Sequence, residues 1–203
     1  AMIPSLLALS DVMGTGWHAA VAADVQEGDT VVVVGDGAVG LSGVLAAARM
    51  GAQRVVAMSR HKTRQQIAQS FGATDIIAER GEAGEAAVLE LTDGVGAAAV
   101  LACVGTPQSM STALAIARPG ATVGYVGVPH GVELPVRTMF SRNVGVAGGV
   151  APVRQYLPAL RDEVLSGRID PGLVFDLELP LGQVAEGYAA MDERRAIKTM
   201  LRP

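Results

Sequence analysis

The six residues Gly35-Asp36-Gly37-Ala38-Val39-Gly40 constrain this chain more than any other stretch. They follow Thr30 to Val34, a continuous β-branched run preceded by Gly28-Asp29, and open Ala38 to Met50, an Ala-rich helical segment that Gly51 can close. A strand buried on both faces, a tight turn and a helix are expected in that order. Placed there, the G-x-G-x-x-G spacing has a physical meaning. Gly35 permits the sharp turn, Gly37 leaves the backbone bare where a pyrophosphate would approach, and Gly40 lets the helix pack closely on the strand. Backbone N–H groups at Ala38 and Val39, with the positive end of the helix dipole, then face the phosphates.

The same alternation continues. Arg54 to Met58 is expected as a second strand, His61 to Phe71 as a helix stopped by Gly72, and Asp75 to Ala78 as a short third strand. Glu82 to Leu91 is a helix, Ala97 to Ala102 a strand, Pro107 to Ala117 a helix with Pro119-Gly120 after it, and Ala121 to Val126 a strand. Beyond Gly127 the pattern loosens into a hairpin-like stretch through Val132 to Val136, a strand at Asn143 to Val146 and a helix at Val153 to Leu165. Leu173 to Arg202 gives strand, helix, strand, and Gly148-Gly149 is too short for a linker. The expected class is α/β, a doubly wound parallel sheet of Rossmann type with helices on both faces.

Composition removes several alternatives. Half of the 203 residues are apolar and 18% are charged, far from a disordered profile. A net charge of −4, with only one Trp, three Tyr and three Phe, gives neither a phosphate-backbone footprint nor a stacking platform, so no nucleic-acid partner is expected. The apolar runs are broken by Gly, Asp or Arg before membrane-spanning length, and no leader is visible, so a soluble chain without a membrane partner is expected. The single Cys103 cannot form an internal disulfide, and with three scattered histidines it cannot complete a Cys/His zinc site; a reducing, cytoplasmic compartment follows. Lying among Leu101, Ala102 and Val104, Cys103 is expected to be buried and structural. His18 and His130 are assigned no role beyond packing or a loop.

The end of the second strand bears on cofactor choice. An NAD site carries Asp or Glu about 20 residues past the glycine turn, to accept from the ribose 2′-hydroxyl. Here Ser59 stands 19 residues beyond Gly40, followed by Arg60, His61 and Lys62. A hydroxyl and a guanidinium can hydrogen-bond a 2′-phosphate and neutralise it, so NADP(H) is expected over NAD(H). The absent acid also argues against an S-adenosylmethionine-dependent methyltransferase, which uses a similar glycine turn and usually needs that carboxylate.

With those elements in place, the chain resembles the medium-chain zinc-dependent alcohol dehydrogenases, particularly their NADP-using secondary-alcohol branch. The resemblance runs from Met2-Ile3-Pro4 and Asp11 to His18, with a T-G-x-H element at Thr15, Gly16 and His18, through Gly51-Ala52, Gly72 to Asp75 and Arg118-Pro119-Gly120, to Ala196 to Thr199. It implies that Ser59 and Arg60 contact the 2′-phosphate with Phe71 packing near that end. Val104-Gly105 and Val126-Gly127 would meet the nicotinamide ribose and carboxamide, and Lys198 would lie near the pyrophosphate. It implies also that Asp11 is the third ligand of a catalytic zinc whose other ligands come from an N-terminal catalytic domain outside this segment; one oxygen cannot hold zinc, so this chain by itself is expected metal-free. The full-length enzyme would then transfer hydride between an alcohol or ketone substrate and NADP(H), and the segment alone would be inactive. Residues 1–172 would form the dinucleotide-binding domain and residues 173–203 would return to the catalytic domain. The strand at Asn143 to Val146 resembles the edge through which such subunits extend their sheets, implying a homodimer or higher oligomer. Two alternatives stay open: a zinc-free quinone or enoyl reductase of the same superfamily, which has no need of Asp11, and a stand-alone NADPH-binding module without catalysis.

Overall fold

The computed structural model describes residues 2–203. Two helices, α1 (Ile3–Ala8) and α2 (Val12–Ala22), lead into the first strand. Strands and helices then alternate as β1 (Thr30–Val34), α3 (Ala38–Arg49), β2 (Arg54–Met58), α4 (Lys62–Ser70), β3 (Asp75–Ile77), α5 (Gly81–Leu91), β4 (Ala97–Ala102), α6 (Pro107–Ile116) and β5 (Ala117–Tyr125). The chain continues with α7 (Val136–Arg142), β6 (Gly145–Gly148), α8 (Val153–Leu165), β7 (Phe175–Pro180), α9 (Val184–Asp192) and β8 (Lys198–Arg202). The six strands β1 to β6 form one parallel sheet in the order β3-β2-β1-β4-β5-β6, and β7 and β8 form a separate parallel pair. This is the Rossmann arrangement, with the strand order reversing between β1 and β4.

β1 shows why a β-branched run suits the centre of such a sheet. Val31 and Val33 enter the core on one face, with Leu41, Val44, Ala19 and Leu160. Val32 and Val34 enter the core on the other, with Met110, Ala113 and Val88. Adjacent side chains of a strand point to opposite faces, so helices on both sides leave no position for a polar residue. On the first face α2 crosses α3 at very short range: a Cβ on Gly16 would lie 2.5 Å from the Gly43 nitrogen and 2.6 Å from the Ser42 carbonyl carbon. On the second, α6 opens with a capping box in which the Thr106 hydroxyl accepts from the Ser109 N–H and the Ser109 hydroxyl accepts from the Thr106 N–H, with Pro107 in the first turn.

The first four strands lie close to where the sequence puts them, and three stretches differ. The hairpin-like reading of Val132 to Val136 is wrong: no strand forms there, and α7 begins at Val136. The apolar alternation of Val132, Leu134 and Val136 has no partner strand, whereas α7 is held by Arg142, whose guanidinium donates to the Leu114, Ala115 and Ala117 carbonyls that α6 leaves free at its end. Asn143 then closes α7 in the left-handed region, φ +55°, which moves β6 to Gly145–Gly148 rather than Asn143 to Val146. β5 starts at Ala117, earlier than expected, because Pro119-Gly120 sits in an irregularity of its pairing with β4 rather than in a separate turn. Among the described residues no helix is long and apolar enough to cross a membrane.

Candidate functional site

The ends of β1, β2, β4 and β5 open on one side of the sheet, where a doubly wound fold leaves a crevice. Gly35, at the end of β1, has φ +123°, and a Cβ there would lie 2.8 Å from Val104 Cγ2. Gly37 is the N-cap of α3 and has ordinary extended geometry, φ −77° and ψ 179°; no protein atom lies within 4 Å of where its Cβ would be. The space over Gly37 is thus left open by the fold, and the exposed helix start behind it directs the N–H groups of Ala38 and Val39 outward. Gly40 is enclosed instead, since a Cβ there would collide with the Gly35 carbonyl. Of the three glycines, one turns the chain, one leaves open space beside it and one is closely packed.

The loops after β4 and β5 nest against each other. A Cβ on Gly105 would meet the Val128 carbonyl oxygen, and one on Gly127 would meet the Gly105 nitrogen. His130 donates its N–H to the Gly105 carbonyl at 3.0 Å, and Val126 donates to Ala102 at 3.1 Å. Val104 remains exposed beside this seam and borders a cavity of about 280 Å³ lined by Val34, Met58, Arg80, Gly81, Thr106, Gln108, Ser109 and Thr112. The cavity lies across the ends of β1, β2 and β4, with apolar walls and a few hydroxyls. Cys103 turns its sulphur toward α3, 3.8 Å from where a Gly43 Cβ would be, and burial pushes its thiol up to about 12, which fits the structural role expected for it.

The end of β2 is more elaborate than its sequence indicates. Ser59 is fully buried: its N–H donates to Ile77, its carbonyl accepts from Gln65 Nε2 at 2.7 Å, and its hydroxyl donates to Asp36 Oδ2 at 2.9 Å. Arg64, on α4, reaches the other oxygen of the same carboxylate at 3.2 Å, with both side chains 12% exposed. The glycine turn and the end of β2 are thereby tied together through Asp36. The sequence assigns no role of their own to Asp36 or to Arg64, the last residue of the basic cluster Arg60 to Arg64; an acid between the first two glycines is the available signal. Arg60 is exposed, and among the described residues neither Arg60 nor Lys62 is ion-paired. Phe71 caps the end of α4 and is 4% exposed, packed within the core, a placement its sequence context also allows.

Asp11 and Lys198, which the resemblance gave separate tasks, come together, with Lys198 Nζ 3.8 Å from Asp11 Oδ2. Asp11 precedes α2, and its main-chain carbonyl accepts from the Thr15 hydroxyl at 2.9 Å. Among the described residues no three His, Cys, Asp or Glu side chains gather into a metal-holding group. A single exposed carboxylate beside an ammonium group is no zinc site, so the residues present do not fit that metal. His18, further along α2, shares a 2.9 Å hydrogen bond between Nδ1 and the Tyr156 hydroxyl and so ties α2 to α8.

This arrangement has counterparts. The family model for zinc-binding dehydrogenases matches residues 38–165. A probable zinc-binding alcohol dehydrogenase of Mycobacterium tuberculosis is 40% identical over 202 residues, covering 97% of this chain and 51% of its own length. The NADP-dependent isopropanol dehydrogenase of Thermoanaerobacter brockii is 35% identical over 170 residues, covering 80% of this chain and 48% of itself. Among solved structures, an alcohol dehydrogenase of Thermus sp. ATN1 superposes with a TM-score of 0.91 at 30% identity, covering 98% of this chain and 58% of that one. The chain spans about half the length of the curated relatives it matches. With the family model matching residues 38–165 and relatives 40% and 35% identical over most of its length, the chain belongs to the zinc-binding dehydrogenase family.

Proposed function

We propose that this chain is the cofactor-binding part of an alcohol dehydrogenase that exchanges hydride between an alcohol and its ketone or aldehyde, using NADP(H) in preference to NAD(H). The observation that carries the reading is the glycine turn, whose backbone is bare and open at Gly37 while Gly35 and Gly40 are fixed by their surroundings. The pyrophosphate would sit there against the start of α3, with Lys198 near it. Arg60, exposed and free of ion pairs, suits a 2′-phosphate, with Ser59 behind it. The isopropanol dehydrogenases among the relatives are described as NADP-dependent, which supports the same choice. Val104-Gly105 and Val126-Gly127 would border the nicotinamide end, where rigid loops hold a ring in one orientation. Bound there, the nicotinamide supplies the carbon that accepts or gives the hydride.

Residues 173–203 would dock on a further domain, since Leu173, Leu181, Val184 and Tyr188 expose apolar surface along that segment. The assembly would be a homodimer built on the open edge of β6, working in the cytoplasm. Calorimetric titration with NADPH and NADH tests the cofactor reading: NADPH should bind more tightly, and Arg60→Ala should weaken it by about 1–3 kcal/mol, the worth of a charged hydrogen bond. Equal affinities for the two cofactors, or an NADPH affinity indifferent to Arg60, overturn the 2′-phosphate assignment.

A further inference from the structure

We infer that Asp36 is a specificity-determining residue: its carboxylate, delivered to the end of β2 from the glycine turn, favours a ribose 2′-hydroxyl and opposes a 2′-phosphate, so that the margin for NADPH over NADH stays narrow. The inference rests on the dinucleotide reading above. An acid that discriminates at this place normally comes from the end of β2 itself, which here carries Ser59. The fold supplies it from 23 residues earlier, with Asp36 Oδ2 2.9 Å from the Ser59 hydroxyl.

The hydrogen-bond chemistry is directional. A serine has one proton to donate, and buried Ser59 donates it to Asp36, so none is left for a phosphate. A ribose 2′-hydroxyl can donate to the carboxylate, which keeps some exposure, whereas a 2′-phosphate dianion brings acceptors only. Arg64 is also committed, its guanidinium 3.2 Å from Asp36 Oδ1 in a pair with little exposure to solvent. Of the groups near the end of β2 that suit a phosphate, Arg60 and Lys62 are left free on the surface among the described residues. A carboxylate so placed therefore acts twice, repelling the added phosphate charge and withholding two of its natural donors.

The test compares wild type, Asp36→Asn and Arg64→Gln by calorimetric titration with NADPH and with NADH, each variant first checked for native circular dichroism. Asp36→Asn should raise the ratio of NADPH to NADH affinity by about tenfold, because it removes the charge and releases Arg64. Arg64→Gln should lower that ratio by about threefold or more, since it leaves the carboxylate without its counter-charge. Should Asp36→Asn prove unstable, Arg64→Gln carries the test alone. A ratio unchanged or lowered by Asp36→Asn, or raised by Arg64→Gln, with both cofactors still bound, overturns the role of Asp36 and leaves the cofactor site standing. If wild type binds neither cofactor, the dinucleotide reading itself falls, and Asp36 with it.

Discussion

Gly37 and Gly40 stand three residues apart in one turn, yet an alanine would act differently at each. At Gly37 the backbone is in a region open to any residue and the Cβ would meet nothing, so Gly37→Ala should leave the melting temperature close to wild type while weakening dinucleotide binding, its methyl taking the space meant for the pyrophosphate. At Gly40 the methyl collides with the Gly35 carbonyl, and Gly40→Ala should cost about 3 kcal/mol or more in urea denaturation. A Gly37→Ala protein as damaged in stability as Gly40→Ala would contradict this division of labour. Cys103 gives a pH-dependent prediction. The unfolded thiol loses its proton near 9.0 while the folded one keeps it to about 12, so its contribution to stability is complete below pH 9 and is lost as pH rises toward 12. The stability difference between wild type and Cys103→Ala should therefore shrink across that window, and a constant difference would show that the sulphur is not buried. At this scale the glycines were legible because each owes its role to positions within its own turn. The Asp36 link to Ser59 was not, because Asp36 reaches Ser59, and Arg64 reaches Asp36, only after β1 and β2 pair in register.

Among the elements, α2 and α3 approach each other closely, through Gly16 lying over Ser42 and Gly43. Gly16→Ala would force the helices apart and should destabilise the chain by about 1–3 kcal/mol with little effect on the glycine turn, measurable as a lowered denaturation midpoint with an unchanged m-value. An unaltered midpoint would mean that the two helices can slide apart freely. β1, β2 and β4 have the residue limits that sequence predicts, because a strand buried on both faces is a pure apolar run with sharp ends. α7 was misread for the opposite reason: none of its residues is buried, so no periodic stripe marks it. Its hold on the molecule comes from Arg142 reaching the end of α6, a contact between segments that local pattern cannot reveal.

For the whole molecule, β3 and β6 are the two edges of the main sheet. Beside β6, α7 leaves Val136 and Phe140 in solvent, the latter 88% exposed. Sedimentation velocity should show a dimer, and Phe140→Glu should weaken its association by at least about tenfold, because a charge is costly to bury in an apolar contact. A wild-type chain that stays monomeric at high concentration would rule out the β6 interface. What the sequence by itself determined was the class of the sheet, the residues of its central strands and the place of the glycine turn, all of which follow from apolar period and glycine spacing within short windows. Only the tertiary structure decided that Asp11 meets Lys198 and that a carboxylate from the glycine turn holds Ser59 and Arg64. Those pairings join positions far apart along the chain, and their geometry exists only once the parallel strands have brought their ends to one side of the sheet.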